Sequence, residues 1–249
     1  MSNKIRYKIT IEYDGSLFAG WQRQKHALTI QEVIEEAIFK ISHNRVSLCG
    51  AGRTDAGVHA TAQVAHFDLS SRHEPHKLAR GINHFIAKWQ VAIIDIQEVP
   101  SNFHARISAI SRQYQYHILC RKFPPALERN RVWHIQHSLD VQSMRKGALY
   151  LLGTHDLTTF RSSKCQAASP VKTIDTINII KRHERIIIII KARSFLHQQV
   201  RSITGSLKLV GEHKWNHDDI LKALNAQHRS ACAPLAPPDG LYLSQVHYP

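Results

Sequence analysis

Residues Gly50 to Ala60 read GAGRTDAGVHA, small residues set around a single Arg53 and a single Asp55. A stretch with so little apolar volume builds no core of its own. Glycine is used where the backbone must take a positive φ or where another group must come close to it. Val46 and Leu48 start a short strand that enters the stretch, and residues 63–69 read as a strand leaving it. The stretch is therefore a loop between strands that presents a carboxylate with little bulk around it. By chemistry alone Asp55 is either an accessible functional group, with Arg53 to hold a phosphate or keep the carboxylate ionised, or the cap of a tight turn.

Working outward, Ile5, Tyr7, Ile9, Ile11 and Tyr13 alternate with polar residues as a half-buried strand that Asp14-Gly15 ends. Thr29 and Glu32 form a capping box ahead of a helix whose apolar face is Ile30, Val33, Ile34, Ala37, Ile38 and Ile41. A strand at 91–99 closes this half. Beyond it, Val141, Met144, Ala148, Leu151 and Leu152 share a helical face, with Gly153 expected as its C-terminal cap. Strands are expected at 173–180 and 185–192, joined by a polar turn at 181–184. An amphipathic helix follows (Leu196, Val200, Ile203, Leu207, Val210) and ends at Gly211. A helix at 218–226 and a last strand at 240–247 complete the chain. Helices and strands alternate within each half, which predicts layers of sheet and helix, with the crossing between 103 and 140.

With 249 residues the chain is long enough for two domains. It carries 33 Lys and Arg against 19 Asp and Glu, a formal charge of +14. The basic residues run through the whole chain, which fits a folded protein with a positive groove for a polyanion, most often nucleic acid, rather than a basic tail. Cys49, Cys120, Cys165 and Cys232 are scattered without a CxxC pair, so neither a disulfide framework nor a cysteine zinc site is expected. The 18 histidines form no HExxH, and no metal is expected. The longest apolar run, 186–190, is strand-sized, and MSNKIRYK has no signal-peptide pattern. A cytoplasmic protein with no membrane span is expected.

The stretch GRTDAGVHA closely resembles the catalytic motif of the TruA-type tRNA pseudouridine synthases. EYDG (12–15), GWQRQ (20–24), TIQE (29–32), FHAR (103–106), Tyr114-Gln115-Tyr116, GTHDLTTFR (153–161), FLHQQVRSITGSL (195–207) and GLYL (240–243) are similar to that family in the same order. The resemblance implies the α+β pseudouridine synthase fold. Two similar α/β half-domains, with largely antiparallel sheets flanked by helices, would span 1–106 and 107–249 with a catalytic cleft between them. It implies isomerisation of uridine to pseudouridine at positions 38 to 40 of the tRNA anticodon stem-loop.

By the same likeness Asp55 is the catalytic aspartate and Arg53 pairs with it or with substrate phosphate. Tyr114 stacks on the target base, and Arg201, with His197 one turn before, is the basic residue near the carboxylate. Phe103, His104 and Arg106, and the region of Cys165 and Gln166, contact tRNA during base flipping. Two departures stand out: Ala167-Ala168 replaces a polar or basic pair, and INHFIAKW (82–89) lacks a proline-containing turn.

The chemistry requires a base taken out of its stack at a cost of a few kcal/mol, an aromatic platform returning roughly 1–3 kcal/mol, and a salt-dependent grip on phosphates. It needs no metal or organic cofactor. Asp55 acts as nucleophile or as base at the sugar. The family works as a homodimer on tRNA. A non-catalytic RNA-binding or chaperone module would be the other class of function, but it gains nothing from a carboxylate facing an anionic ligand. A metal-dependent hydrolase lacks its ligand cluster.

Overall fold

The computed structural model describes residues 4–249. Met1 to Asn3, the start of the segment read as lacking a signal peptide, lie outside the described residues. Two compact units divide the chain, Met1–Ile110 with Leu243–Pro249, and Ser111–Tyr242.

The first unit is built on β1 (Ile5–Tyr13), α1 (Ile30–Ser42), β2 (Cys49–Gly50), β3 (His59–Leu69), α2 (Pro75–Ile86) and β4 (Val91–Val99). β1 is the middle strand, antiparallel to both β3 and β4. The alternation seen in the sequence becomes a buried face of Tyr7, Ile9, Ile11 and Tyr13. Tyr7 sits opposite Phe67 in register, their rings stacked 5.7 Å apart. α1 begins as the capping box requires, Thr29 accepting from the Glu32 N–H, and buries Ile30, Val33, Ile34, Ala37 and Ile38. α2 had not been expected. Pro75 stands at its first turn, where a missing N–H costs nothing, and Leu78, Ile82 and Ile86 are its buried stripe. The proline-free INHFIAKW ends instead in a left-handed Gln90, φ 54°.

The second unit contains β5 (Ser111–Cys120), β6 (Trp133–Ile135), α3 (Val141–Leu149), β7 (Gly153–Asp156), β8 (Val171–Arg182), β9 (Arg185–Ala192), α4 (Gln199–Gly211) and α5 (Asp218–Ala226). Its strands run in the order β5-β9-β8-β7, all antiparallel neighbours, with β6 added parallel to β5. Ile186, Ile188 and Ile190 of β9 are fully buried. The expected 181–184 turn is shorter: β8 extends to Arg182, β9 keeps its expected bounds from Arg185, and His183 takes φ 53°. Gly153 is not the cap of α3. That helix stops at Leu149, and Gly153 opens β7 with φ 91°. The final strand, β10 (Leu241–His247), begins in the second unit and ends in the first. Both units are mixtures of helix and largely antiparallel strand, the α+β class expected. Among the described residues no helix is long and apolar enough to cross a membrane.

α3 shows how a cap sets a boundary. Asp140 accepts from the Gln142 and Ser143 N–H groups, at 2.9 and 3.2 Å, and from the Ser143 hydroxyl at 2.7 Å. Those bonds hold its carboxyl below the usual carboxylate range. Replacing Asp140 with Ala leaves the donors to water and is expected to lower stability by about 1 kcal/mol. Urea denaturation of the two proteins at neutral pH checks it.

Candidate active site

Asp55 lies on a turn between β2 and β3 in which its carbonyl accepts from the Val58 N–H at 3.2 Å. The turn rests on the segment that follows β1. Trp21 N–H donates to the Thr54 carbonyl at 3.0 Å, and Gly57 N–H donates to the Phe18 carbonyl at 3.4 Å. The approach leaves no room for side chains. A Cβ on Gly15 would lie 2.0 Å from the Val58 carbonyl oxygen, and one on Gly20 2.6 Å from that of Thr54. Gly20 also takes φ 102°, a conformation that L residues avoid. Val58 and His59 are buried, Asp55 is half-buried, and Arg53 and Ala56 are exposed. The His59 ring closes the far end of the turn, where its Nδ1 accepts from the Gly15 N–H at 3.0 Å. Gln63 Nε2 donates to the Gly52 carbonyl at 2.8 Å and ties the near end to β3.

The FHAR segment is anchored in the same unit. Arg6 holds Asp68 in a two-pronged pair, at 2.7 and 2.8 Å, and donates to the Ser101 and Phe103 carbonyls at 2.7 Å. That pairing keeps the Asp68 carboxyl below the ordinary carboxylate range. Phe103 packs on the cluster of Ala51, Val64 and Ala105, its ring 5.0 Å from that of Tyr248. His104 folds back into its own loop, Nδ1 accepting from the Arg106 and Ile107 N–H groups at 3.2 Å, while Nε2 lies 3.6 Å from Cys49 Sγ. Arg106 and Ile107 are left exposed at the tip.

Cys49, His66 and His104 bring their donor atoms within 4.8 Å of one another, a grouping that sequence spacing could not show. Their protonation opposes ligation. A metal-bound histidine donates its other ring N–H to an acceptor, whereas His66 Nδ1 accepts from the Ala105 N–H at 3.2 Å and His104 Nδ1 accepts from its own loop. Both rings therefore keep their proton on Nε2, the atom that a metal would need.

In the second unit Tyr114 is buried on β5, its ring edge-on to Phe195 at 5.1 Å. Arg201 lies in the first turn of α4 and donates from Nε to the Ala236 carbonyl at 2.8 Å. His197 precedes that helix, because Gln198, φ 63°, is its N-cap. Its carbonyl accepts from the Ser162 N–H at 2.9 Å, joining the start of α4 to the loop that carries Cys165, half-buried, and Gln166, exposed.

A glycine-walled turn presenting an aspartate, in an α+β chain of strongly basic composition, fits an enzyme that acts on nucleic acid. The sequence matches the tRNA pseudouridine synthase family over residues 9–107 and 148–249. The chain belongs to that family, isomerases that convert uridine to pseudouridine. It is 49% identical over 245 residues to the tRNA pseudouridine synthase A of Sinorhizobium fredii (strain NBRC 101917 / NGR234), covering 98% of this chain and 99% of the relative. The enzymes of the same name from Parvibaculum lavamentivorans (strain DS-1 / DSM 13023 / NCIMB 13966) and Rhizobium meliloti (strain 1021) match at 49% identity, each over 98% of this chain and 99% of their own.

One consequence of this packing is a stability that depends on pH. Burial, then the charges of Arg6 and His104, push the His66 imidazole down to about 4. The unfolded chain, with an ordinary imidazole near ~6.5, binds a proton in this interval that the folded chain refuses. Stability therefore falls as pH drops from about 6.5 toward 4. In His66→Asn the amide oxygen takes over the Ala105 N–H, and this part of the slope is expected to vanish. Thermal denaturation from pH 7 to 4 on both proteins is the check.

Proposed function

We propose that the chain acts on tRNA in the cytoplasm, isomerising uridines 38 to 40 of the anticodon stem-loop with Asp55 as the reacting carboxylate. The observation that carries the reading is the turn itself: a half-exposed carboxylate on a backbone fixed from two sides by contacts that only glycine permits. Such a mounting is costly for a mere turn cap and suits a group that must meet a bulky nucleotide in one orientation.

The reaction is balanced without an oxidant or reductant. The C1′–N1 bond breaks, the uracil turns, and a C1′–C5 bond forms. C5 loses its proton and N1 gains one. Asp55 serves at the sugar or the base as nucleophile or proton acceptor. Arg53, exposed beside it, grips a backbone phosphate.

From the second unit Tyr114 supplies the stacking surface and Arg201 the positive charge, roles carried over from the family likeness. Arg106 reaches RNA from a loop whose shape Phe103 and His104 maintain, and Cys165 and Gln166 mark a further contact. A second copy of the chain completes the grip on a folded tRNA.

Two measurements decide these points. Asp55→Asn conserves size and shape while removing charge and nucleophilicity. Tritium release from uridine-5-labelled tRNA is expected to disappear, with tRNA affinity kept or raised and stability changed by no more than about 0.5 kcal/mol. Activity at a substantial fraction of the parent rate would remove Asp55 from the reaction. For assembly, light scattering at micromolar concentration is expected to give twice the 28.4 kDa of one chain. A fully active monomer would refute the dimer.

A further inference from the structure

Below the reacting turn lies a buried polar pair that the chemistry above does not use. Tyr13, 2% exposed at the end of β1, and Thr54, 7% exposed, share a hydrogen bond of 2.8 Å between Oη and Oγ1. Thr54 directly precedes Asp55. Its carbonyl is already taken by the Trp21 N–H, so its main chain is held on one side and its side chain on the other. Tyr13 owes its position to an irregularity in the sheet. Pairing of β1 with β3 slips between Ile11↔Gln63 and Tyr13↔Ala60, placing an extra residue in β3. Bulges of this kind re-aim a side chain beside a functional site. The Tyr13 ring is braced against Trp21, centroids 6.3 Å apart. A hydroxyl pair of this kind is an unusual choice for a core, since an unsatisfied partner is expensive and Phe opposite Val would pack the same volume without that liability.

We propose that Tyr13 is a positioning residue for the isomerisation, its hydroxyl fixing Thr54 and so the direction in which the Asp55 carboxylate leaves the turn. This rests on Asp55 being the reacting group. The sheet supplies the reference frame, Tyr13 transfers it, and the peptide between Thr54 and Asp55 delivers it.

Steady-state tritium release with Tyr13→Phe, Thr54→Val and Thr54→Ser tests the idea, with Asp55→Asn beside them. Loss of a buried orienting bond is expected to lower kcat by about tenfold or more, because small misplacements at a reacting group cost up to about 100-fold. KM and tRNA affinity should stay within about twofold, since no RNA contact is touched. Thr54→Ser restores most of the rate lost in Thr54→Val. The double variant Tyr13→Phe/Thr54→Val is no slower than the worse single one, as two halves of one bond require.

A parent-like kcat in Tyr13→Phe overturns the proposal, as does a rise in KM in step with the fall in kcat. Should Tyr13→Phe not fold, the Thr54→Val and Thr54→Ser comparison decides alone, and equal rates there overturn it. Full activity in Asp55→Asn would instead remove the function reading on which this one stands, so the two failures are distinguishable.

Discussion

The approach of one main chain to another, with no side chain between, is the constraint on which the first unit depends. The segment after β1 passes so close to the 54–58 turn that Gly15 and Gly20 meet carbonyl oxygens where a Cβ would stand. Close approach lets backbone N–H groups do the holding, Trp21 to Thr54 and Gly57 to Phe18. Such bonds require no long side chain to be ordered as well, so the turn is held without bulk. Asp55, half-buried, is thereby carried on a turn fixed through its main chain.

The arginines of the first unit divide between internal pairing and exposure. Several arginines of the first unit are spent on structure: Arg6 on Asp68 and the 101–103 carbonyls, Arg23 on Glu35 and Glu36, Arg72 on Glu98. Others, Arg53 and Arg106 among them, stand exposed near the turn or at the tip of the FHAR loop. Arg6 serves both purposes indirectly, since anchoring the base of that loop fixes where Arg106 emerges. A formal charge of +14 is therefore not a count of nucleic-acid contacts, because the cations paired within the protein shape the surface that the exposed ones populate.

Much of this was legible in the residues. Alternation gave β1 from Ile5 to Tyr13, and the Thr29 cap and its apolar stripe gave α1, because both patterns are local and face a single core. α5 was read at its observed bounds, Asp218 to Ala226. α2 is absent from the sequence reading, although Pro75 at its first turn and the i, i+4, i+8 spacing of Leu78, Ile82 and Ile86 mark a helix there. β5 was passed over too. Its Tyr114, Tyr116 and Ile118 alternate, but the segment had been assigned to the crossing between halves. The contact of Cys49, His66 and His104 was not legible at all. Cys49 and His104 are 55 residues apart, and only the sheet register brings β2 to β3 at Cys49↔His66.

The motifs that reveal the family are dispersed in sequence, and the fold shows why they travel together. EYDG contributes Tyr13 to the Thr54 hydroxyl and Gly15 to the Val58 carbonyl. GWQRQ contributes Gly20 against Thr54, and its Trp21 and Gln22 lean on TIQE: Gln31 N–H donates to the Trp21 carbonyl at 3.1 Å and Gln22 Nε2 to Gln31 Oε1 at 2.8 Å. Ile30 N–H, the first of α1, donates to the Gly20 carbonyl at 3.2 Å. Four short stretches spread from residue 12 to residue 60 are thus packed on one another. Gly15 and Gly20 tolerate little change because their neighbours are main chain, which cannot yield as a side chain can. A Cβ at either would have to move the peptide of Val58 or of Thr54, on either side of Asp55 in the turn. Much of the family signature in the first unit is accordingly packing around one turn.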